Sequence, residues 1–272
     1  MCKIFYMFIV FVSLIGCDGK VKKSSKMREN RKIVVQLLDN KKDIIVAKYK
    51  NVIPKEWSEN IDGVIKILPT KDKVLALTLD LCGSKNDSLD ESLVAFLEEN
   101  KIPVTFFVNY RWIQKFPEKF ERLYKNPLFE IENHGYGHLP ASVSGRAIYG
   151  IYGTKNSGEL YDEVIKNAEF IEKITGYRPK FYRSGTAYYD EFAVKQIYDM
   201  GFKSVGFNIL GDAGATYSAW KVQDVLLTAK AGDIIICHAN HPEKGTGLGL
   251  KMVLPKLLKR GFRFVRLDEY LE

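Results

Sequence analysis

From residue 74 onward, short apolar runs alternate about seven times with stretches of helical spacing. "VLALTLD" (74–80), "VTFFVN" (104–109), "LFEIENH" (128–134), "PKFYRS" (179–184), "KSVGF" (203–207), "DIIICH" (233–238) and "RFVRL" (263–267) read as strands. Residues 88–100, 116–125, 158–175, 190–200, 219–230 and 248–260 read as helices, with Ser88 or Asp90 capping the first. This alternation implies an α/β fold with a parallel sheet and helical crossovers, either open or closed into a barrel. A chain of 272 residues is long enough for one large domain of this kind or two small ones. In such folds the C-terminal ends of the strands build the active site.

Those ends are unusually polar. "VLALTLDLCGS" is a strand built for burial, yet it finishes in Asp80. His134, Arg183, Asp212 and His238 stand at or just beyond other strand ends. Burying five ionisable groups is costly unless they pair or hold a metal. All four histidines, His134, His138, His238 and His241, fall in this set or within four residues of it. "HGYGH" places His134 and His138 at i and i+4, where two imidazoles share one face of a helical turn and bind one metal.

The N-terminal stretch has a different character. The formal charge of +8 suggests nucleic acid until its location is considered. Seven basic and two acidic residues lie between Asp18 and Lys32, so the body of the chain is nearly neutral and a nucleic-acid partner is discounted. "IFYMFIVFVSLIG" (4–16) follows a positive start and has the length of a signal-peptide core. It runs into "LIGC", which resembles a bacterial lipoprotein cleavage box with Cys17 as the lipidated residue. The expected organisation is a signal peptide at 1–16, a basic flexible linker at 17–34, a leading segment at 35–72 and a catalytic-type domain at 73–272. The leading segment contains two β-like runs, "DIIVAKY" and "GVIKIL". The expected location is the cell envelope, on a membrane anchored by lipid and basic charge.

Five segments in order now carry a resemblance: "TLDLCG" (78–83), "HGYGH" (134–138), "FYRSGTAYYD" (181–190), "GDAGAT" (211–216) and "IICHANHP" (235–242). Over about residues 62–272 the chain resembles the polysaccharide deacetylase family, the NodB-like carbohydrate esterases. The resemblance implies an irregular (β/α)7-type barrel. It also implies a divalent metal, usually zinc, held by two histidines and an aspartate, and removal of N-acetyl or O-acetyl groups from a glycan. On that chemistry His134 and His138 hold the metal and Asp80 takes a proton from water. Arg183 pairs with Asp80 and keeps its pKa low. His238 protonates the leaving amine, oriented by Asp212. Backbone N–H groups near Gly185 and Thr186 are candidates to bind the oxyanion. His241 reads as structural.

The sequence departs from the family at its first motif. The family has two adjacent acids there, the first a base and the second a ligand. Here Leu81 follows Asp80. Asp80 itself is the favoured third ligand, and Cys82 is a close second because alternate strand positions share a face. Asp87, from the following loop, is a third possibility. His238 must face the site, so Cys237 faces the helices and a Cys82–Cys237 disulfide is disfavoured. Tyr110, Trp112, Tyr136, Tyr188, Tyr189 and Trp220 flank the motifs and divide between sugar contact and core. "KGTGLGL" (244–250) reads as a helix start rather than a phosphate cradle. The expected activity is metal-dependent deacetylation of an envelope glycan, peptidoglycan first. An inactive glycan-binding protein on this fold, or a metal hydrolase of a small C–N substrate, are the alternatives.

Overall fold

A computed structural model describes residues 40–271. The expected signal peptide, linker and lipidated Cys17 lie outside the described residues. The unit that carries the fold runs from Ile45 to the C-terminus.

In chain order, β1 (Val74–Leu81) is followed by α1 (Glu91–Glu99), β2 (Val104–Val108), α2 (Tyr110–Lys115), α3 (Pro117–Lys125) and β3 (Phe129–Asn133). A small hairpin, β4 (Ala147–Ile148) and β5 (Ile151–Tyr152), precedes the long α4 (Ser157–Thr175). Then come β6 (Phe181–Tyr182), α5 (Glu191–Asp199), β7 (Lys203–Ser204), β8 (Ile209–Leu210), α6 (Ala219–Leu226), β9 (Ile234–His238), α7 (Gly245–Lys259) and β10 (Arg263–Phe264). The main sheet has the order β7-β6-β3-β2-β1-β9-β8, with β10 also on β1, and every pairing in it is parallel. It is the incomplete barrel of the NodB type, with β7 and β8 at its two ends.

Strand parity sorts the residues. Leu75, Leu77, Leu79 and Leu81 face outward into a core shared with Leu93, Leu97, Val222 and Leu254. Val74 and Ala76 face inward with Phe107, Phe181 and Ile234. Each fully buried leucine contributes on the order of 2 kcal/mol. The same alternation turns Thr78 and Asp80 inward, which is how a buried strand comes to end in a carboxylate at the barrel mouth.

Three expectations change. "DIIVAKY" is helical, not extended. Its buried residues, Ile45 and Tyr49, are four apart and pack with Leu160 and Ile197, a helical rather than a strand spacing. "GVIKIL" forms isolated bridges instead of a strand: the Ile65 N–H donates to Ser204 O and the Leu68 N–H to Gly232 O. Those bonds run it from β7 to the start of β9. The hairpin β4–β5, the short β8 and the six-residue α2 carry too little periodicity to be read from sequence. Several strand-like runs, such as 179–184 and 263–267, yield only two paired residues each. α1 takes Asp90 as its cap, its carboxylate accepting from the Leu93 N–H. "KGTGLGL" does open a helix, α7.

Candidate active site

Asp80 on β1 and His238 on β9 are register partners at the C-terminal ends of neighbouring strands. Arg183, just after β6, is fully buried beside them and donates through Nη1 to Asp80 Oδ1 at 2.8 Å. Its remaining bonds go to Thr78 Oγ1, Val205 O and Gly206 O, and it lies 4.1 Å from the Phe107 ring centroid. Burial pushes the Asp80 carboxyl up, but Arg183 and then His134 outweigh it and hold the group below its ordinary range.

His138 and His134 sit on a bend, not on a helical turn as the i, i+4 spacing suggested. Gly135 takes φ +78° and His138 φ +60°, and this reversal brings the two rings to 4.8 Å between centroids. Glu163 of α4 holds the bend, accepting from the Gly137 N–H at 2.7 Å and the Leu139 N–H at 3.1 Å. Asn109 donates to the carbonyls of His134 and Gly135. Asn133 accepts from the Gly135 N–H and is itself bonded by Asn167. These four polar residues escaped the sequence reading. The available signal was Glu163 and Asn167, four apart within the buried stripe of an amphipathic helix.

The third member of the cluster is Cys82. Ligand atoms of Cys82, His134 and His138 all lie within 4.8 Å of one another. His134 Nδ1 is bonded to Arg183 O at 2.9 Å, so Nε2 is the ring nitrogen that faces Cys82 Sγ at 3.8 Å. His138 Nε2 is buried with no protein partner, an orphan atom that a metal ion would satisfy. A thiol and two imidazoles are a donor set that suits a divalent metal with an open position. Burial raises the Cys82 thiol pKa, but His138, His134 and His238 together bring it well below the ordinary value. Gly83 follows at φ +81°, and a Cβ there would stand 2.7 Å from Trp112 N, so only glycine lets the chain turn under α2.

Asp80, the favoured third ligand of the sequence reading, borders this trio without being one of its three mutually convergent donors. One of its oxygens is taken by Arg183 and the other lies 3.5 Å from His134 Nε2. Asp87 does not reach in. It accepts from the Ser84 N–H and hydroxyl and faces His241 Nε2 at 3.6 Å, which gives His241 the structural setting expected of it.

Asp212 is fully buried and serves His238 twice, accepting from its backbone N–H at 2.7 Å and from Nδ1 at 2.9 Å. The Thr246 hydroxyl donates to the same carboxylate. Burial disfavours a charged His238, but Asp212 prevails and raises its pKa well above the ordinary value. A cavity of about 480 Å³ connects Asp80, His138 and His238 with Tyr149, Thr186 and Phe207. The Gly185 N–H is not free to bind an oxyanion, because it donates to Leu139 O at 3.2 Å. A Cβ at Gly185 would lie 2.2 Å from His138 O, so this residue is fixed by close packing under the bend. Cys82 and Cys237 are free thiols, with Cys237 buried in the helix-side core.

The polysaccharide deacetylase family matches residues 68–205. A peptidoglycan-N-acetylglucosamine deacetylase of Bacillus cereus is 26% identical over 208 residues, covering 75% of this chain and 91% of that protein. A crystal structure of the peptidoglycan N-acetylglucosamine deacetylase Bc1960 superposes with a TM-score of 0.66 at 23% identity, covering 76% of this chain and 92% of that one. An acetyl xylan esterase of Clostridium thermocellum, solved with a cobalt ion, superposes with a TM-score of 0.58 at 24% identity over 72% of this chain and 89% of that one. With the barrel, the strand-end cluster and this match over half its length, the chain belongs to the polysaccharide deacetylase family, metal-dependent hydrolases of acetylated glycans.

Proposed function

We propose that the protein removes N-acetyl groups from peptidoglycan, with His134, His138 and Cys82 holding the metal, Asp80 as base and His238 as acid. The observation that carries this is the pairing across β1 and β9: a carboxylate kept ionised by Arg183 beside an imidazole kept charged by Asp212, both next to three convergent donors. Asp80 Oδ1 is fixed by Arg183, so Oδ2, 3.5 Å from His134 Nε2, is the oxygen that accepts a proton from the attacking water. His238 Nδ1 is spent on Asp212, so Nε2 delivers a proton to the leaving nitrogen. When bound, the metal polarises the acyl oxygen and lowers the pKa of water. Cys82 as third ligand leaves Asp80 available as base, which its bond to Arg183 favours.

Zinc fits a thiolate and two imidazoles best. Peptidoglycan is supported by the B. cereus relative's name and by the location read from the sequence. A lipid at Cys17 and the basic stretch after it would tether the enzyme at the membrane beside that polymer.

Acetate release from peptidoglycan tests the reading, with zinc-loaded, chelated and Asp80→Asn samples side by side. Release lost in both controls is expected. Release that survives chelation, or none from any acetylated glycan, sinks it.

A further inference from the structure

The hairpin β4–β5 stands outside the main sheet, and nothing in the mechanism uses it. Its two-residue turn is Tyr149-Gly150, with φ +54° and +76°. Both central residues are left-handed, the geometry of a type I′ turn that Asn, Asp and Gly normally occupy. Tyrosine there costs about 1 kcal/mol. Its side chain recovers little by burial, since the residue is 74% exposed. Yet the ring is aimed. Tyr149 lines the same cavity as Asp80, His138 and His238. Tyr149 and Tyr188 form a T-shaped pair at 5.8 Å and 83°, and Tyr188 in turn meets Trp57 at 5.8 Å.

The base of the hairpin is tied down. Trp57 Nε1 donates to Ala147 O, and Arg146 Nη2 donates to Pro54 O. Ser58 forms a bridge with Tyr189, so the leading segment stitches the hairpin to the loop that carries Tyr188. Within the cavity, Thr186 Oγ1 is buried with no protein partner. An exposed, strained, braced aromatic ring and an orphan hydroxyl lining one cavity are what a polyhydroxylated ring with an apolar face requires.

We infer that Tyr149 is a stacking residue for a pyranose ring next to the one that loses its acetyl group, held in place by Tyr188 and Trp57. This rests on the deacetylase reading above. The preferred substrate is then a chain of at least two sugar rings rather than a single acetylated sugar.

The test uses the full-length protein and N-acetylglucosamine as monomer and tetramer. Acetate release gives kcat and KM for the zinc-loaded enzyme, and calorimetry gives Kd for the metal-free protein, where the glycan stays intact. Tyr149→Ala is expected to raise tetramer KM and Kd about three- to tenfold, with kcat changing less than twofold. Tyr149→Phe keeps the ring and is expected to stay near wild type. Trp57→Leu removes the brace and follows Tyr149→Ala in direction. Unchanged tetramer KM and Kd in Tyr149→Ala, alongside acetate release, overturns the stacking role and leaves the deacetylase standing. Tyr149-dependent tetramer binding without any release does the reverse. Equal losses for monomer and tetramer also overturn the proposal, because the second ring would then contribute nothing.

Discussion

The inward face of β3 and its extension carries Glu130, Glu132 and His134 at alternate positions, and the two ends of this row are stabilised in opposite ways. At the upper end Asp80 and Asp212 each have a cationic or titratable partner of opposite sign: Asp80 has Arg183 and His134, and Asp212 has His238. The pKa values move so that charges persist. At the lower end the acids are met by dipoles. Glu132 accepts from the Lys180 and Phe181 N–H groups and from Tyr177 OH. Glu130 accepts from Thr105 Oγ1 and the Leu267 N–H, and its Oε1 is buried without a partner. Burial pushes both carboxyls up, Glu130 to about 7 and Glu132 well above its ordinary value. Among these four acids, charge persists where a countercharge accompanies it and is suppressed where only dipoles meet the carboxyl.

The comparison breaks most visibly at Arg183. Arg183→Leu leaves Asp80 buried and uncompensated, so stability is expected to fall by about 3–5 kcal/mol and acetate release to vanish. Urea midpoints measure the first. Adding Asp80→Leu is expected to recover much of the stability and none of the activity. If the double variant is no more stable than the single one, the pair is not the electrostatic unit described. Asp212→Asn comes next. It keeps a hydrogen-bonding group against His238 but removes the charge, and kcat is expected to drop about 10²- to 10⁴-fold. The far-UV spectrum and melting profile should stay close to wild type. A loss under fivefold would show that His238 works without its countercharge.

How much of this was legible beforehand follows from the same physics. Asp80, His134, Arg183, Asp212 and His238 could be picked out because ionisable residues at the ends of apolar strands are conspicuous. Their pairings, Asp80 with Arg183 and Asp212 with His238, appear in the structure. Asp80 and Cys82 share one face of the extended chain and both lie beside His134 Nε2, so strand parity leaves either of them as third ligand. The bend at 134–138 differs from the helical turn that i, i+4 spacing suggests because that spacing is satisfied by either, and Gly135 and Gly137 favour the bend. Glu163 and Asn109 act through backbone groups, and backbone partners leave no motif. Strain was equally silent. Among the described residues six non-glycine positions have positive φ, and four of them, His138, Tyr149, Ala187 and Ala213, line the site cavity.

The lower end gives the gentlest test. Glu130 has an ordinary pKa of 4.5 and a folded value of about 7. Between those values the unfolded chain releases a proton that the folded chain keeps. Stability from this group is therefore complete below about pH 4.5, declines as pH rises through 7, and is gone above it. The upper bound for the whole change is about 3 kcal/mol. Glu130→Gln has nothing to release, so its stability should be flatter than wild type over that window. Chemical denaturation at half-unit steps from pH 5 to 8 reads the two slopes. Parallel curves would mean that Glu130 is already ionised in the fold and finds a countercharge, which would erase the distinction between the two ends of the row. The upper end offers the opposite signature. Asp80 has a depressed pKa, so its contribution is present at neutral pH and lost only as the solution is acidified below the ordinary carboxylate range. One strand's neighbourhood would then lose stability in both directions of pH, from different ends and for opposite reasons.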